Sequence, residues 1–142
     1  MALVFTITEM NAYLAEVFPQ VDGMFGIDQM DEDLLVMRLM VSDSHLRPGG
    51  TVSGPSMFAL ADVSAYVATL ARIGRQALTV TTHCSIDFMR KPESGRDLLA
   101  QARLLKLGRT LSVTDVLMYS EGSATPVAHA SLTYSIPPAR IG

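Results

Sequence analysis

Asp62 is the only group charged at pH 7 between positions 54 and 71, in the run G-P-S-M-F-A-L-A-D-V-S-A-Y-V-A-T-L-A. A carboxylate among apolar neighbours can serve as a general base or as a nucleophile. Aspartate is rarely fully buried without a partner, so Asp62 must either face water at the edge of its element or line a pocket. Phe58 and Tyr66, one helical turn to either side, offer it no cation. A second candidate precedes it. The stretch Arg47-Pro48-Gly49-Gly50-Thr51-Val52-Ser53-Gly54 is glycine-bearing and leads into the same apolar run. Glycines let backbone approach a ligand closely, and the free N–H groups at a helix start suit an oxyanion or a phosphate. An ordinary tight turn has the same composition. No Gly-Lys-Ser/Thr follows, which removes a nucleotide loop of the Walker kind.

Spacing connects the two candidates. Gly54 and Asp62 are eight residues apart, about 12 Å along a helix. A carboxylate and an amide so far apart in one chain cannot flank a single carbonyl, so a site that uses both must be built from two subunits. A third group, Thr81, His83, Ser85 and Asp87, forms the polar side of an alternating run that either lines a pocket or faces solvent. His83 with Asp87 makes no triad, because no G-x-S-x-G serine is present. His45, His83 and His129 lack metal-ligand spacing and Cys84 is the single cysteine, so neither a metal site nor an internal disulfide is expected. Nothing demands a cofactor, and the nine methionines suit an adaptable core or interface.

The elements that must position these residues are legible from periodicity. Thr6-Ile7-Thr8-Glu9 has capping-box form, and Met10, Leu14, Val17 and Phe18 recur at helical spacing up to Pro19. Strands follow near 23–30 and 33–42, joined by an acidic turn at Asp31-Glu32. Ser53 caps the next helix, Pro55 falls in its first turn, and Gly74 ends it after Arg72. This helix is apolar all round and so predicts burial, with Ala61, Ala65 and Ala68 allowing close approach to a sheet. Over 77–90 the residues alternate, with Leu78, Val80, Cys84, Ile86 and Phe88 on one side and Thr82 as the exception. Strands near 97–107, 109–120 and 125–135 complete a run of four, for which short connections predict antiparallel neighbours. The expectation is α+β, a strongly curved antiparallel sheet around one long central helix.

At 142 residues the chain makes one domain with a real core. It is 49% hydrophobic and 18% charged, apolar enough that a second subunit is expected to cover part of its surface. A membrane span would have to carry Asp62 at its midpoint, where a charge costs roughly 3 kcal/mol or more. The net charge of −3 without a basic cluster excludes nucleic acid as an expected partner. The opening M-A-L-V-F-T-I-T-E has neither a basic stretch nor a small-residue cleavage site, so the expectation is a cytoplasmic homo-oligomer.

Three motifs together carry a resemblance. G-T-V-S-G-P-S-M-F-A-L-A-D-V-S, T-V-T-T-H-C-S-I-D-F-M-R-K-P and L-L-K-L-G-R-T-L-S-V, in this order over residues 40–136, resemble the hot-dog-fold acyl-CoA thioesterases of the phenylacetate (PaaI-like) type. The resemblance implies hydrolysis of acyl- or aryl-acyl-CoA thioesters without metal or organic cofactor, at interface sites of a dimer or dimer of dimers. It implies Asp62 as base or nucleophile, the Gly54 amide from the opposite subunit as the group that polarises the carbonyl, and Thr81 as the hydroxyl that helps place water. The chain departs from the family pattern at three positions. Arg47 stands where the family has asparagine, Ser53 where it has the histidine of His-Gly-Gly, and Pro55 where it has the second glycine. Arg47, Gly50, Ser53 and Pro55 are therefore expected to shape substrate binding, with Arg47 suited to a CoA phosphate. The alternative is an acyl-CoA-binding protein that kept the cavity without the chemistry. A hot-dog dehydratase would want a histidine on the helix, and there is none.

Overall fold

The computed structural model describes residues 2–138. Helix α1 (Ile7–Val17) begins at the expected capping box, with the Glu9 N–H donating to the Thr6 hydroxyl at 3.1 Å and the Thr6 N–H donating to the Glu9 carboxylate at 2.9 Å. It ends at Phe18, after which Pro19 opens a short 3₁₀ turn (Pro19–Val21). The hairpin strands β1 (Phe25–Met30) and β2 (Leu35–Leu39) are shorter than the runs predicted for them. The late start of β2 has a local reason: Asp31 Oδ1 accepts the N–H groups of Asp33 and Leu34, both at 2.9 Å, and this side-chain turn replaces ladder bonds.

Helix α2 (Gly54–Ile73) has the predicted ends. Ser53 is the N-cap and accepts the Ser56 N–H at 3.3 Å, while Gly74, at φ +90°, donates its N–H to the Leu70 carbonyl. Every residue from 60 to 72 is buried except Asp62, which is half-buried. Alanines on both partners (Ala61, Ala65 and Ala68 on the helix, Ala100, Ala102, Ala128 and Ala130 on the sheet) let α2 lie close to its support. The helix is long and apolar enough to cross a membrane, but 72% of its apolar window is buried inside the protein.

That support is one antiparallel sheet of six strands, completed by β3 (Val80–Phe88), β4 (Leu98–Leu107), β5 (Leu111–Ser120) and β6 (Pro126–Ser135). Its order is β1-β2-β4-β5-β6-β3, and it wraps the central helix as an α+β fold. The last four strands are therefore not all sequential neighbours. β4 to β6 form the predicted meander, but β3 pairs with β6 at the far edge and β4 pairs with β2. The connection over 89–97, which contains K-P-E-S-G, is too long for a hairpin and crosses from one side of the sheet to the other.

The alternation in β3 is also broken. A bulge between Thr81 and His83 inserts Thr82 as an extra residue, so Thr81 shares the half-buried face with Cys84 and Ile86 rather than the exposed one with His83, Ser85 and Asp87. The exception noted in the sequence is thus the point where the strand changes parity.

Tyr66 ties α2 to the approach of β3, its hydroxyl donating to the Ala77 carbonyl at 2.8 Å. Burial, with a smaller contribution from Tyr13, pushes its phenol up to about 12 from the ordinary 10.0. The unfolded chain ionises near pH 10 while the folded one still resists, so stability present below pH 10 falls as pH rises towards 12. Melting temperatures measured from pH 9 to 12 should decline over this window, and Tyr66→Phe should make the decline shallower.

Candidate active site

The two ends of α2's first half open into different cavities. Asp62 lines a cavity of about 520 Å³ with Val17, Phe18, Val63, Tyr66, Thr81 and Tyr134 among its walls. Gly54 lines another of about 470 Å³ with Arg47, Val52, Phe88, Arg90 and Lys91. The structure therefore brings Thr81 to Asp62 and Arg47 to Gly54, and keeps the two pairs apart within one chain.

Asp62 is held by the sheet. Its Oδ1 accepts from the Thr81 hydroxyl at 2.6 Å and from the Tyr134 hydroxyl at 2.7 Å, and the Tyr134 oxygen also lies 2.8 Å from the Asp62 carbonyl oxygen. Thr81 and Tyr134 are directly opposed across the β3–β6 pair, which is why both reach the same oxygen. This opposition depends on the bulge, since an unbroken strand would place Thr81 on the outer face with His83. Two donors on Oδ1 fix the carboxylate plane and leave Oδ2 as the oxygen not taken up by these hydroxyls. Burial, and then the charge of Asp62, push the Tyr134 phenol well above the ordinary tyrosine range, so it stays a neutral donor at any working pH. Burial and Asp62 also raise the Cys84 thiol, which keeps it protonated beside the site.

At the other cavity, backbone geometry supplies the donor. The turn before α2 is closed by Arg47 N–H to Thr51 O at 2.9 Å and Gly50 N–H to Arg47 O at 3.0 Å, and it needs Gly49 and Gly50 at φ +102° and +82°. The first turn of a helix has amides without intrahelical partners. Pro55 has no N–H, and those of Ser56 and Met57 are taken by the Ser53 hydroxyl and carbonyl. Gly54 is the amide of that turn left to meet a ligand. The Phe88 ring lies over it, 3.5 Å from where a Cβ would stand. Ser53 spends its hydroxyl on the cap, donating to the Ser56 hydroxyl at 2.9 Å. Gly50 and Pro55 shape the loop-to-helix junction, and neither lines this cavity.

Three functional candidates were not singled out by sequence reasoning. Tyr134 is the lone phenol in the inward set Ala128, Ala130, Leu132 and Tyr134 of β6, a polar intrusion that could have drawn attention. Arg90 and Lys91, in the quoted F-M-R-K-P, give the Gly54 cavity two cations besides Arg47. The histidines go elsewhere. His45 is buried and its Nδ1 accepts the Ser42 N–H at 3.0 Å, while His129 pairs with Asp115. Among the described residues no group of three His, Cys, Asp or Glu side chains is arranged to hold a metal.

Comparison with known proteins identifies the family. The family model of the thioesterase superfamily matches residues 49–127, which include Gly54, Asp62 and Thr81. The structure of an inferred thioesterase from Silicibacter sp. TM1040 superposes with a TM-score of 0.92 and 65% identity, covering 97% of this chain and 96% of that one. The phenylacetic acid degradation protein PaaI from Thermus thermophilus, in a mutant form, gives a TM-score of 0.71 and 26% identity over 84% of this chain and 99% of that one. An inferred esterase of Deinococcus radiodurans is 34% identical over 95 residues, covering 67% of this chain, and the chain spans 62% of its length. A long central helix wrapped by a six-stranded antiparallel sheet is the hot-dog fold, and this chain belongs to the thioesterase superfamily.

Proposed function

We propose that the protein hydrolyses acyl-CoA thioesters at a site shared by two subunits of a homodimer or a dimer of dimers. The observation that carries this reading is a carboxylate fixed by two hydroxyls in one cavity, with an uncommitted helix-start amide and three cations in another. Strand β3 links them. Its Val80 and Thr81 end lines the Asp62 cavity, its Phe88 end lines the Gly54 cavity, and among the described residues its outer edge has no neighbouring strand. Val80 and Phe88 are 54% and 51% exposed, an apolar load that an unpaired edge rarely carries free in water. Antiparallel pairing of β3 with its copy about a two-fold axis would bring the Asp62 end of one subunit beside the Gly54 end of the other.

In such a site the thioester carbonyl oxygen accepts from the Gly54 N–H. Asp62 Oδ2 takes a proton from water as the oxygen of that water adds to the carbonyl carbon. The tetrahedral oxyanion is held by the same N–H, and removal of one such donor typically costs about 10²–10³ in rate. Collapse breaks the C–S bond, and the CoA thiolate leaves with the proton returned from Asp62. Arg47, Arg90 and Lys91 suit the CoA phosphates. The groups that the family places at 47 and 53 are absent here, so the weight of positioning falls on Thr81 and Tyr134.

Thiol release from a panel of acyl- and aryl-acyl-CoAs tests the reading. Asp62→Asn should lower kcat by about 10²–10⁴ with the fold intact. Binding of acyl-CoA without release by the native protein would instead identify the non-catalytic binder, and equal release by both proteins would remove Asp62 as the catalyst. Tyr134→Phe removes a hydrogen bond to a charged group, worth about 1.5–3 kcal/mol, so kcat should fall by roughly ten- to a hundredfold with KM little changed. A purely structural tyrosine would lower the melting temperature and leave kcat alone. For the shared site, Asp62→Asn and Gly54→Pro subunits, each inactive alone, should regain about a quarter of native activity when refolded together, because half the dimers are mixed and each keeps one intact site. Failure of mixed dimers to recover any activity would overturn the shared site.

A further inference from the structure

We infer that Phe18 limits the length of the acyl group, standing as a partition between the Asp62 cavity and a second cavity of about 270 Å³ with mostly hydrocarbon walls. The inference rests on the reading of Asp62 as the reacting centre. Phe18 and Val63 are the two residues that line both cavities. Beyond them, Leu14, Phe25, Ile27 and Met37 contribute hydrocarbon walls. Asn11 and Asp22 also line this space, and its hydrocarbon walls are the part that suits methylene groups.

The partition is firmly built. Phe18 caps α1, its N–H donating to the Leu14 carbonyl at 2.7 Å and its carbonyl accepting from the Val21 N–H at 3.2 Å, with Pro19 fixing the next backbone step. Its ring meets Tyr66 edge-on at 6.0 Å between centroids, and Tyr66 in turn packs 6.0 Å from Tyr134. Phe18, Tyr66 and Tyr134 thus form one aromatic row that starts at the Asp62 carboxylate and ends at the second cavity. Tyr66, the ring against which Phe18 packs, is anchored at its hydroxyl by the Ala77 carbonyl. An acyl group whose carbonyl sits at Asp62 therefore runs along this row and stops at the Phe18 ring. A smaller residue at 18 joins the two spaces and lets a straight chain continue.

The test measures kcat/KM for straight-chain acyl-CoAs from four to sixteen carbons with the native protein, Phe18→Ala and the milder Phe18→Leu, each checked by circular dichroism and melting. The native profile should fall beyond a short chain. In Phe18→Ala each further methylene admitted should raise kcat/KM about fourfold, so three of them give roughly sixtyfold. Phe18→Leu should shift the profile in the same direction by less, and it serves if the alanine variant does not fold. A parallel series of dissociation constants for non-hydrolysable S-alkyl-CoA thioethers reads the same length limit without turnover. If no thioester is hydrolysed, the proposed activity fails while this binding series still decides the role of Phe18. Profiles that coincide for native, Phe18→Leu and Phe18→Ala, or a native protein that takes sixteen carbons as well as the alanine variant does, would overturn the inference.

Discussion

Burying a helix on nearly all sides from Leu60 to Arg72 is the constraint to which the rest of the molecule answers. A buried polar group without a partner is costly, so each polar side chain on α2 must find one. Those with donors can turn back onto the helix itself. The Ser64 hydroxyl donates to the Leu60 carbonyl, the Thr69 hydroxyl to that of Ala65, and the Arg72 guanidinium to that of Ala68. A carboxylate has no such option, because an ionised aspartate only accepts and the helix interior offers no spare N–H. Asp62 must be satisfied from outside its own element. The sheet supplies two hydroxyls, and the place where it does so is where a cavity opens.

The same constraint sorts chemistry along α2. At its start the backbone is the resource, since Pro55 and the Ser53 cap leave Gly54 as the available amide. At its middle the resource is a side chain held by neighbours on β3 and β6. The two are separated by the pitch of the helix, and one strand, β3, touches both cavities. The fold keeps these groups apart within one chain and sets each at an end of the same strand, which among the described residues pairs only with β6. Serine at position 53 fits this division, because its hydroxyl is committed to the helix cap and brings no reacting group to the carbonyl.

The aromatic row extends the logic from chemistry to shape. Tyr134 has its hydroxyl on Asp62, Tyr66 has its own on the Ala77 carbonyl, and Phe18 has none. Polarity thus declines with distance from the carboxylate, and the wall ends on plain hydrocarbon where the second cavity begins. Each ring is held by a different element (β6, α2 and the end of α1), so the shape of this pocket is a property of their packing.

Much was already legible in the chain. The capping box at Thr6, the burial and both ends of α2, the α+β class and the β4–β6 meander follow from local rules, since capping, periodicity and turn chemistry act over a few residues. The separation of Gly54 and Asp62 was legible too, because the rise of a helix is constant. Tertiary structure decided the rest. That β3 leaves its sequence neighbour for β6 depends on a long crossover whose path no local rule encodes. That Thr81 faces Asp62 depends on a bulge at Thr82 that turns the strand's parity. Tyr134 enters the site from a residue 72 positions away, once two strands pair in register and one helix is pressed onto them. Local patterns determine which elements form and which face they bury, whereas contacts between distant segments exist only after the whole sheet has closed around its helix.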